Sequence, residues 1–249
     1  MAAILSLQYR LDFVVGAFMA IFWTATAMVP LLVLFQMRTS VAGWSFPEAL
    51  VVIGFFTALK GVMTGLMQPS LGSVVEHIRK GTLDFLLLKP ADAQLLVSTS
   101  KIDLARSTDV IAGFGVALYG AVKSGGIPSV QMVLFSALML LAGMGVLYSF
   151  WVLAVSLAFY VVKVDNLSYL IVSTFDAARW PSTIFRGVLS FLFTFVIPLA
   201  LMTTFPALAL LGRLSMTDAA ISLGASAVFL SVSRWVWVSA VGKYTSAGG

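Results

Sequence analysis

Few side chains in this chain are of a type that does chemistry, and Lys60 stands out because of where it lies. It is the only charged residue between Ala49 and Met67, in a run that is otherwise almost wholly apolar. An ammonium group is costly in hydrocarbon, so an intramembrane lysine is a candidate site by default. Three interpretations are open: the side chain reaches the headgroups, pairs with a polar partner, or contacts a transported substrate.

Metal and thiol chemistry have little support. The chain has no cysteine and a single histidine, His77, which lies among charged residues. The absence of cysteine excludes disulfides, thiolate nucleophiles and iron–sulfur ligation. Because no other suitable ligands lie near His77, we expect it to have a solvated structural role and expect no metal site.

Catalytic motifs are missing as well. The sequence contains no GxxxxGK[ST] phosphate-binding loop, no HExxH zinc motif and no GxSxG nucleophile elbow. An ATPase site within the chain is therefore not expected. An intramembrane enzyme would need several polar groups that converge at depth, whereas the apolar runs offer mainly Ser, Thr and backbone. Such an enzyme is kept only as a weaker alternative.

The densest group of polar side chains is the stretch from Glu76 to Gln94, EHIRKGTLDFLLLKPADAQ. Apolar residues recur at helical spacing just before it, which predicts an amphipathic helix that Gly81 ends in a left-handed conformation. Thr82 is predicted to cap a short second helix, and Asp92 to cap the turn after it. The stretch therefore predicts a compact helix-turn-helix that contacts a soluble partner.

Composition indicates the kind of element that must position these residues. The chain has 249 residues, of which 60% are hydrophobic and 10% charged, and its mean hydropathy is +1.04. This length allows about six membrane spans of roughly 20 residues each. The net charge of +5 is explained by basic loops at an anionic lipid leaflet, so membrane lipids rather than nucleic acid are the expected contact.

We predict an all-α integral membrane protein with a single transmembrane domain, residues 1–249, and both termini in the cytoplasm. Basic residues are concentrated in the loops on one side of the membrane, which sets this orientation. Between the second and third spans lies a cytoplasmic region, 71–101, and an interfacial segment, 164–185, precedes the fifth. An external re-entrant piece, 205–213, follows the fifth span. The six spans are predicted at 13–36, 49–67, 104–122, 129–160, 187–204 and 219–240.

Individual residues refine these spans. The run 129–160 is too long for a simple crossing, and Gly143 and Gly145 are plausible break points. Pro198 and Pro206 divide the later apolar run, so the fifth span is predicted to end near Thr204. Arg234 lies close enough to the end of the sixth span to reach the headgroups.

Small residues recur every fourth position on the second and third spans, a spacing that allows close helix packing. They indicate either an interface with another subunit or packing within one chain, and the spacing does not separate the two. The residues concerned are Gly61, Gly65, Gly113, Ala117 and Ala121.

Three segments resemble the permease subunits of bacterial ATP-binding-cassette (ABC) transporters, in particular the viologen-exporter type within the second class of ABC exporter permeases. The resemblance lies in IRKGTLDFLLLKP at 78–90, WPSTIFRGVLSFLFTFVIPLALMTTFPALALLG at 180–212 and KYTSAGG at 243–249. It implies an export permease in a bacterial inner membrane that pairs with a second permease, identical or homologous, and docks two cytoplasmic ABC ATPase subunits.

The resemblance also implies how work is divided. ATP and Mg²⁺ would bind to the ATPase subunits, with no cofactor on this chain, and the polar stretch would couple ATP hydrolysis to the spans. The apolar composition favours a drug, an organic cation or a lipid as cargo. A stand-alone secondary transporter is the main alternative, although it would normally carry several intramembrane ionisable residues. The residues predicted to couple to the ATPase are Glu76, Arg79, Lys80, Gly81, Thr82, Leu83, Asp84, Phe85, Lys89 and Pro90.

Overall fold

The structure is a computed structural model, and it describes residues 15, 18–19, 22, 25–26, 28–30, 32–160, 167–193 and 197–244. The regular elements in these ranges are helices, apart from a single β-bridge between Val41 and Trp44. The predicted first span, 13–36, is only partly covered, and the residues of it that are described are helical. Its remaining residues, and most of the tail at 243–249, lie outside the described ranges.

One continuous helix, from Phe46 to Arg79, is the longest element. It consists of α1 (Phe46–Val62), a π turn (Met63–Met67) and α2 (Gln68–Arg79). The helix begins after Ser45, whose N–H donates to Glu48 Oε2 at 2.8 Å, a reciprocal arrangement that favours helix initiation. The second predicted span therefore continues without a break into the polar region, as expected.

Helix α5 (Ser107–Gly125) packs closely along α1, after a 3₁₀ turn at Leu104–Arg106. The two backbones approach at glycines: a Cβ added to Gly113 would lie 2.4 Å from the Ala58 nitrogen, and one added to Gly54 would lie 2.4 Å from the Ala117 nitrogen. Any side chain at these positions would collide with backbone, so the contact requires glycine.

Helices α6 (Val130–Leu157) and α10 (Met216–Gly242) form a second packed pair. Of the ways to fit the long run 129–160 (a tilt, a break or an extension beyond the membrane), a break at Gly143 or Gly145 is excluded, because α6 is unbroken through both glycines. These residues instead allow close contact: a Cβ on Gly143 would lie 2.5 Å from the Leu201 carbonyl oxygen, and one on Gly145 would lie 2.9 Å from Ser226 Oγ.

The segment predicted to be interfacial, 164–185, packs in part against other helices where it is described, and its place relative to the membrane stays a prediction. It forms α7 (Leu167–Phe175) and two 3₁₀ turns, Asp176–Arg179 and Ser182–Ile184. These elements run alongside α1, with the Phe175 ring stacked on Phe56 at 5.2 Å between centroids. The apolar spacing that suggested a membrane surface is used to pack against another helix.

The predicted fifth span, 187–204, is divided in the structure. Helix α8 (Val188–Phe191) is short, whereas a π turn (Ala200–Thr204) continues directly into α9 (Phe205–Leu210). The described chain is non-helical at Pro198, as its proline predicts, and remains helical through Thr204, so no helix end marks the predicted boundary between the fifth span and the re-entrant piece 205–213. Pro206 lies in the first turn of α9, where the wide preceding turn accommodates a residue that cannot donate.

One end of the bundle joins three separated parts of the chain. Trp44 Nε1 donates to Thr183 Oγ1 at 3.0 Å, and Arg213 Nη1 lies 2.7 Å from Glu48 Oε1. The Arg213 guanidinium also lies 5.8 Å from the centre of the Trp44 ring. This end carries Arg213, which the sequence predicts to be external.

Three of the described helices are long and apolar enough to cross a membrane: Phe46–Arg79, Val130–Leu157 and Met216–Gly242. In the first of these 78% of the most apolar window is buried inside the protein, against 22% in the last. The helix Phe46–Arg79 is therefore the centre of the bundle. The chain is an all-α membrane protein, while six spans and the position of the termini remain predictions.

Candidate functional site

The predicted coupling region starts where α2 ends. Gly81 has a φ of +64°, and the N–H of Thr82 donates to the carbonyl oxygen of His77 at 3.0 Å. This is the reversal that a glycine in the left-handed conformation allows at a helix carboxyl end. The prediction that Gly81 ends the amphipathic helix is confirmed.

The capping role predicted for Thr82 is wrong. Its Oγ1 forms a 2.8 Å hydrogen bond with His77 Nδ1, whereas α3 (Asp84–Leu87) follows Leu83 without a side-chain cap. Because the hydroxyl of Thr82 bonds to the imidazole, it does not cap α3. The hydrogen bond between the two side chains instead stabilises the turn before α3. His77 is accordingly half-buried and hydrogen-bonded rather than fully solvated.

Helix α3 has a buried side and an exposed side, both apolar. Leu83 is fully buried at 0% exposure, whereas Phe85 is 70% and Leu88 is 81% exposed. Leu86 packs partly against the core, as its spacing predicts. Large exposed apolar side chains on a turn within a polar region are typical of a contact surface.

The ten residues predicted for coupling form one contiguous region, from the last turn of α2 to the end of α3. Glu76 and Lys80 form an exposed ion pair at 3.6 Å, and Lys89 and Pro90 are exposed immediately after α3. An exposed pair of this kind contributes little to stability. These charges border the apolar surface formed by Phe85 and Leu88.

The next helix, α4 (Ala93–Ser98), is anchored by contacts that sequence reasoning missed. Asp92 caps it as predicted, accepting from the Leu95 N–H at 3.1 Å. Arg234 of α10 also donates to this carboxylate, with Nη1 at 3.0 Å from Asp92 Oδ1. Arg234 Nη1 lies 2.9 Å from Gln94 Oε1. The arginine expected to reach the headgroups is thus bound to the coupling region.

The hydrogen bonds from Arg234, followed by the one from the Leu95 N–H, hold the pKa of Asp92 below its usual range. A lowered folded-state pKa means that ionised Asp92 stabilises the fold at neutral pH, and that this contribution is lost as the pH falls through the folded-state value. We expect Asp92→Asn to lower the melting temperature at pH 7, while below the folded-state pKa the wild-type protein and the variant melt together. Thermal unfolding in detergent at both pH values measures this difference, and an equal gap at the two values would contradict it.

Lys60 has a polar partner, one of the three interpretations that the sequence left open. Its Nζ lies 2.7 Å from Asp176 Oδ1, and Arg179 Nη2 lies 3.2 Å from the same oxygen. Both cations also lie against the Phe56 ring, at 5.5 Å and 5.4 Å from its centre. One carboxylate thus pairs with two cations beside an aromatic face, and both contacts lower the cost of placing the cations among apolar helices.

The small residues proposed for a subunit interface are used within this chain. Gly61 faces Val110 and Asp109, and a Cβ there would lie 2.9 Å from Val110 Cγ2. The remaining four also lie between α1 and α5 or at the turn that precedes α5. Packing within one subunit, the alternative left open by the spacing, is what the geometry supports at Gly61, Gly65, Gly113, Ala117 and Ala121.

An apolar cavity of about 140 Å³ lies between α6, α7 and the chain from Ile197 to Met202. Its lining is almost entirely hydrocarbon, and Thr174 supplies the hydroxyl among the lining residues. No group of three or more Asp, Glu or His side chains suited to a metal ion lies together in the described parts of the chain.

Comparisons with known proteins give one finding. Neither a curated protein nor a solved structure matches the chain. A family model described as "ABC-2 family transporter protein" matches residues 21–248, which is most of the chain. This family is that of permease components, which work with ABC ATPase subunits and lack an ATPase site of their own. The chain therefore belongs to the ABC-2 transporter family.

Proposed function

We propose that this protein is the permease subunit of an ATP-driven ABC exporter of the viologen-exporter type. The observation that carries the proposal is the apolar surface of α3, where Phe85 and Leu88 are exposed while Leu83 anchors the helix from below. A cytoplasmic ATPase would bury this surface, and the charges around it would form the polar rim of the contact.

Motion of the ATPase would reach the membrane through the helix Phe46–Arg79. At 1.5 Å per residue its 34 residues span about 50 Å, which is longer than the thickness of a bilayer core. Closure of the ATPase subunits around ATP pushes α3, and α2 passes the displacement to α1. Because α1 and α5 touch through backbone, both helices then move relative to the partner permease.

The assembly has two ATPase subunits, which bind ATP and Mg²⁺, and a second permease that is identical or homologous. The chain itself holds no cofactor and lies in the inner membrane of a bacterium, with both termini in the cytoplasm. The cargo is a hydrophobic or amphipathic compound such as a drug, an organic cation or a lipid. The hydrocarbon lining of the cavity between α6 and α7 supports an apolar cargo.

Site-directed crosslinking tests the contact with the ATPase. The chain has no native cysteine, so a Leu88→Cys variant carries a single thiol on the exposed side of α3. We expect a short maleimide crosslinker to join it to a co-expressed ABC ATPase, in native membranes, with high yield. The matched control is Ile127→Cys, a residue 89% exposed in the turn between α5 and α6, at the opposite end of the bundle.

The crosslinking yields of the two variants show whether the ATPase docks on α3. A crosslink at Leu88→Cys without one at Ile127→Cys supports ATPase docking on α3. No crosslink at Leu88→Cys, in a complex whose ATPase co-purifies with the chain, would place docking elsewhere and overturn the coupling role of α3. Transport that requires an ion gradient instead of ATP would overturn the exporter itself.

A further inference from the structure

The coupling region is fastened to the bundle at a second place, far along the chain from α1. Arg234 is the only charged residue from Ala219 to Gly242, and its guanidinium binds both carboxylate oxygens of Asp92. A two-pronged arginine–carboxylate contact fixes direction as well as distance. It ties the cap of α4 to α10.

A third helix joins the same network. Gln94 Nε2 donates to the Tyr148 hydroxyl of α6 at 3.0 Å, and Ser98 Oγ lies 2.8 Å from that hydroxyl. Gln94 is 6% and Ser98 8% exposed, so these hydrogen bonds are shielded from water. The hydrogen bonds of α4 therefore reach α6 and α10 together.

The position of Arg234 explains why such a network is stable. A lone arginine in an apolar helix is costly unless it is paired or reaches an aqueous boundary. The side chain is about half exposed, at 48%, and Asp92 is 33% exposed. The pair thus lies at the edge of the protein, where partial contact with water lowers the cost of holding both charges.

We propose that Arg234 and Asp92 are positioning residues for energy coupling, an inference that rests on the proposed function. They transmit displacement of the coupling region to α10, independently of the route through α1 and α5. Because the ion pair attaches α10 to the start of α4, a displacement of the coupling region that moves α3 and α4 also moves α10. Without it, α1 and α5 still respond to the ATPase while α10 does not.

The experiment uses reporter cysteines at the predicted external ends of two helices. Met216→Cys reports on α10 and Lys123→Cys reports on α5, each in the otherwise cysteine-free chain assembled with its ATPase in lipid nanodiscs, which leave both faces of the membrane open to added reagents. The rate of labelling by a membrane-impermeant maleimide is measured with and without ATP and vanadate. In the unmodified background we expect the labelling rates of both reporters to change when the ATPase is trapped.

Arg234→Gln is expected to abolish the change at Met216→Cys and to leave the change at Lys123→Cys. The charge swap, Arg234→Asp with Asp92→Arg, is expected to restore the response of α10, which a merely misfolded protein would not do. A response at Met216→Cys that survives Arg234→Gln overturns the inference. The inference is also overturned if, in the unmodified background, the labelling rate changes at Lys123→Cys but not at Met216→Cys.

Failure of the proposed function looks different. In that case neither reporter changes in the unmodified background, or the ATPase does not co-purify, and the inference falls with it. ATP hydrolysis by the Arg234→Gln complex provides a further check. It is expected to continue, because docking on α3 does not involve the pair.

Discussion

Gly113→Ala is expected to destabilise the protein severely, although the change adds one methyl group. The new Cβ would lie 2.4 Å from the Ala58 nitrogen and 2.6 Å from the Gly54 carbonyl oxygen, and backbone atoms cannot turn aside as a flexible side chain can. Overpacking of this kind costs about 1–3 kcal/mol, with larger values when backbone must move. Thermal unfolding of the purified chain in detergent measures the effect.

Gly115→Ala is the matched control, two residues away on α5. A Cβ on Gly115 meets nothing within 4 Å, and alanine favours a helix over glycine by about 1 kcal/mol. The two substitutions are chemically identical, yet we expect opposite signs: a lower melting temperature for Gly113→Ala and an equal or higher one for Gly115→Ala. Equal melting temperatures for the two variants would mean that α1 and α5 are not in backbone contact.

The second large effect is expected at Asp176. Asp176→Leu leaves Lys60 and Arg179 without the carboxylate that both contact, at 2.7 Å and 3.2 Å. Breaking a buried pair costs about 3–5 kcal/mol, and because these side chains are about one-third exposed we expect about 2 kcal/mol. Lys60→Leu should cost less, since Asp176 keeps its contact with Arg179.

The double variant Lys60→Leu, Asp176→Leu separates charge from packing. Arg179 retains its 2.9 Å hydrogen bond to the backbone oxygen at position 176, so the double variant is expected to melt above Asp176→Leu alone. Asp176→Asn, which keeps the shape and removes the charge, should resemble Asp176→Leu. If all four variants melt with the wild-type protein, the charge cluster does not hold α1 to the chain at 176–179.

Local signals were enough to predict the turn at Gly81 and the helix cap at Asp92. Gly81 and Asp92 act within a few residues of themselves, because a helix cap depends on adjacent backbone groups. The role of Thr82 was predicted wrongly because its hydroxyl has two possible partners nearby, the His77 ring and a free backbone N–H of the next helix. The sequence alone does not show which of the two it binds. The resemblance to ABC permeases came from this region at 78–90 and, over a longer stretch, from 180–212 and 243–249.

Long-range pairs could not be predicted. Lys60 and Asp176 are 116 positions apart, and Arg234 and Asp92 are 142 apart. The sequence shows that Lys60 and Arg234 each stand alone in an apolar run. This indicates that each needs a polar partner, but it does not identify the partner. For the segment 164–185, apolar spacing suits a membrane surface and a neighbouring helix equally well.

The π turn from Met63 to Met67 lies in the long helix between α1 and α2. We expect it to respond differently to a push along the helix axis and to a twist about that axis. A π turn holds one residue more than an α turn, and moving it along a helix rotates the residues it passes by about 100°. Its Gly65 carbonyl already accepts a hydrogen bond from the Asp103 N–H at 2.8 Å. We therefore expect a push along the axis to be passed on, and a twist at the α2 end to be taken up by the π turn before it reaches Lys60.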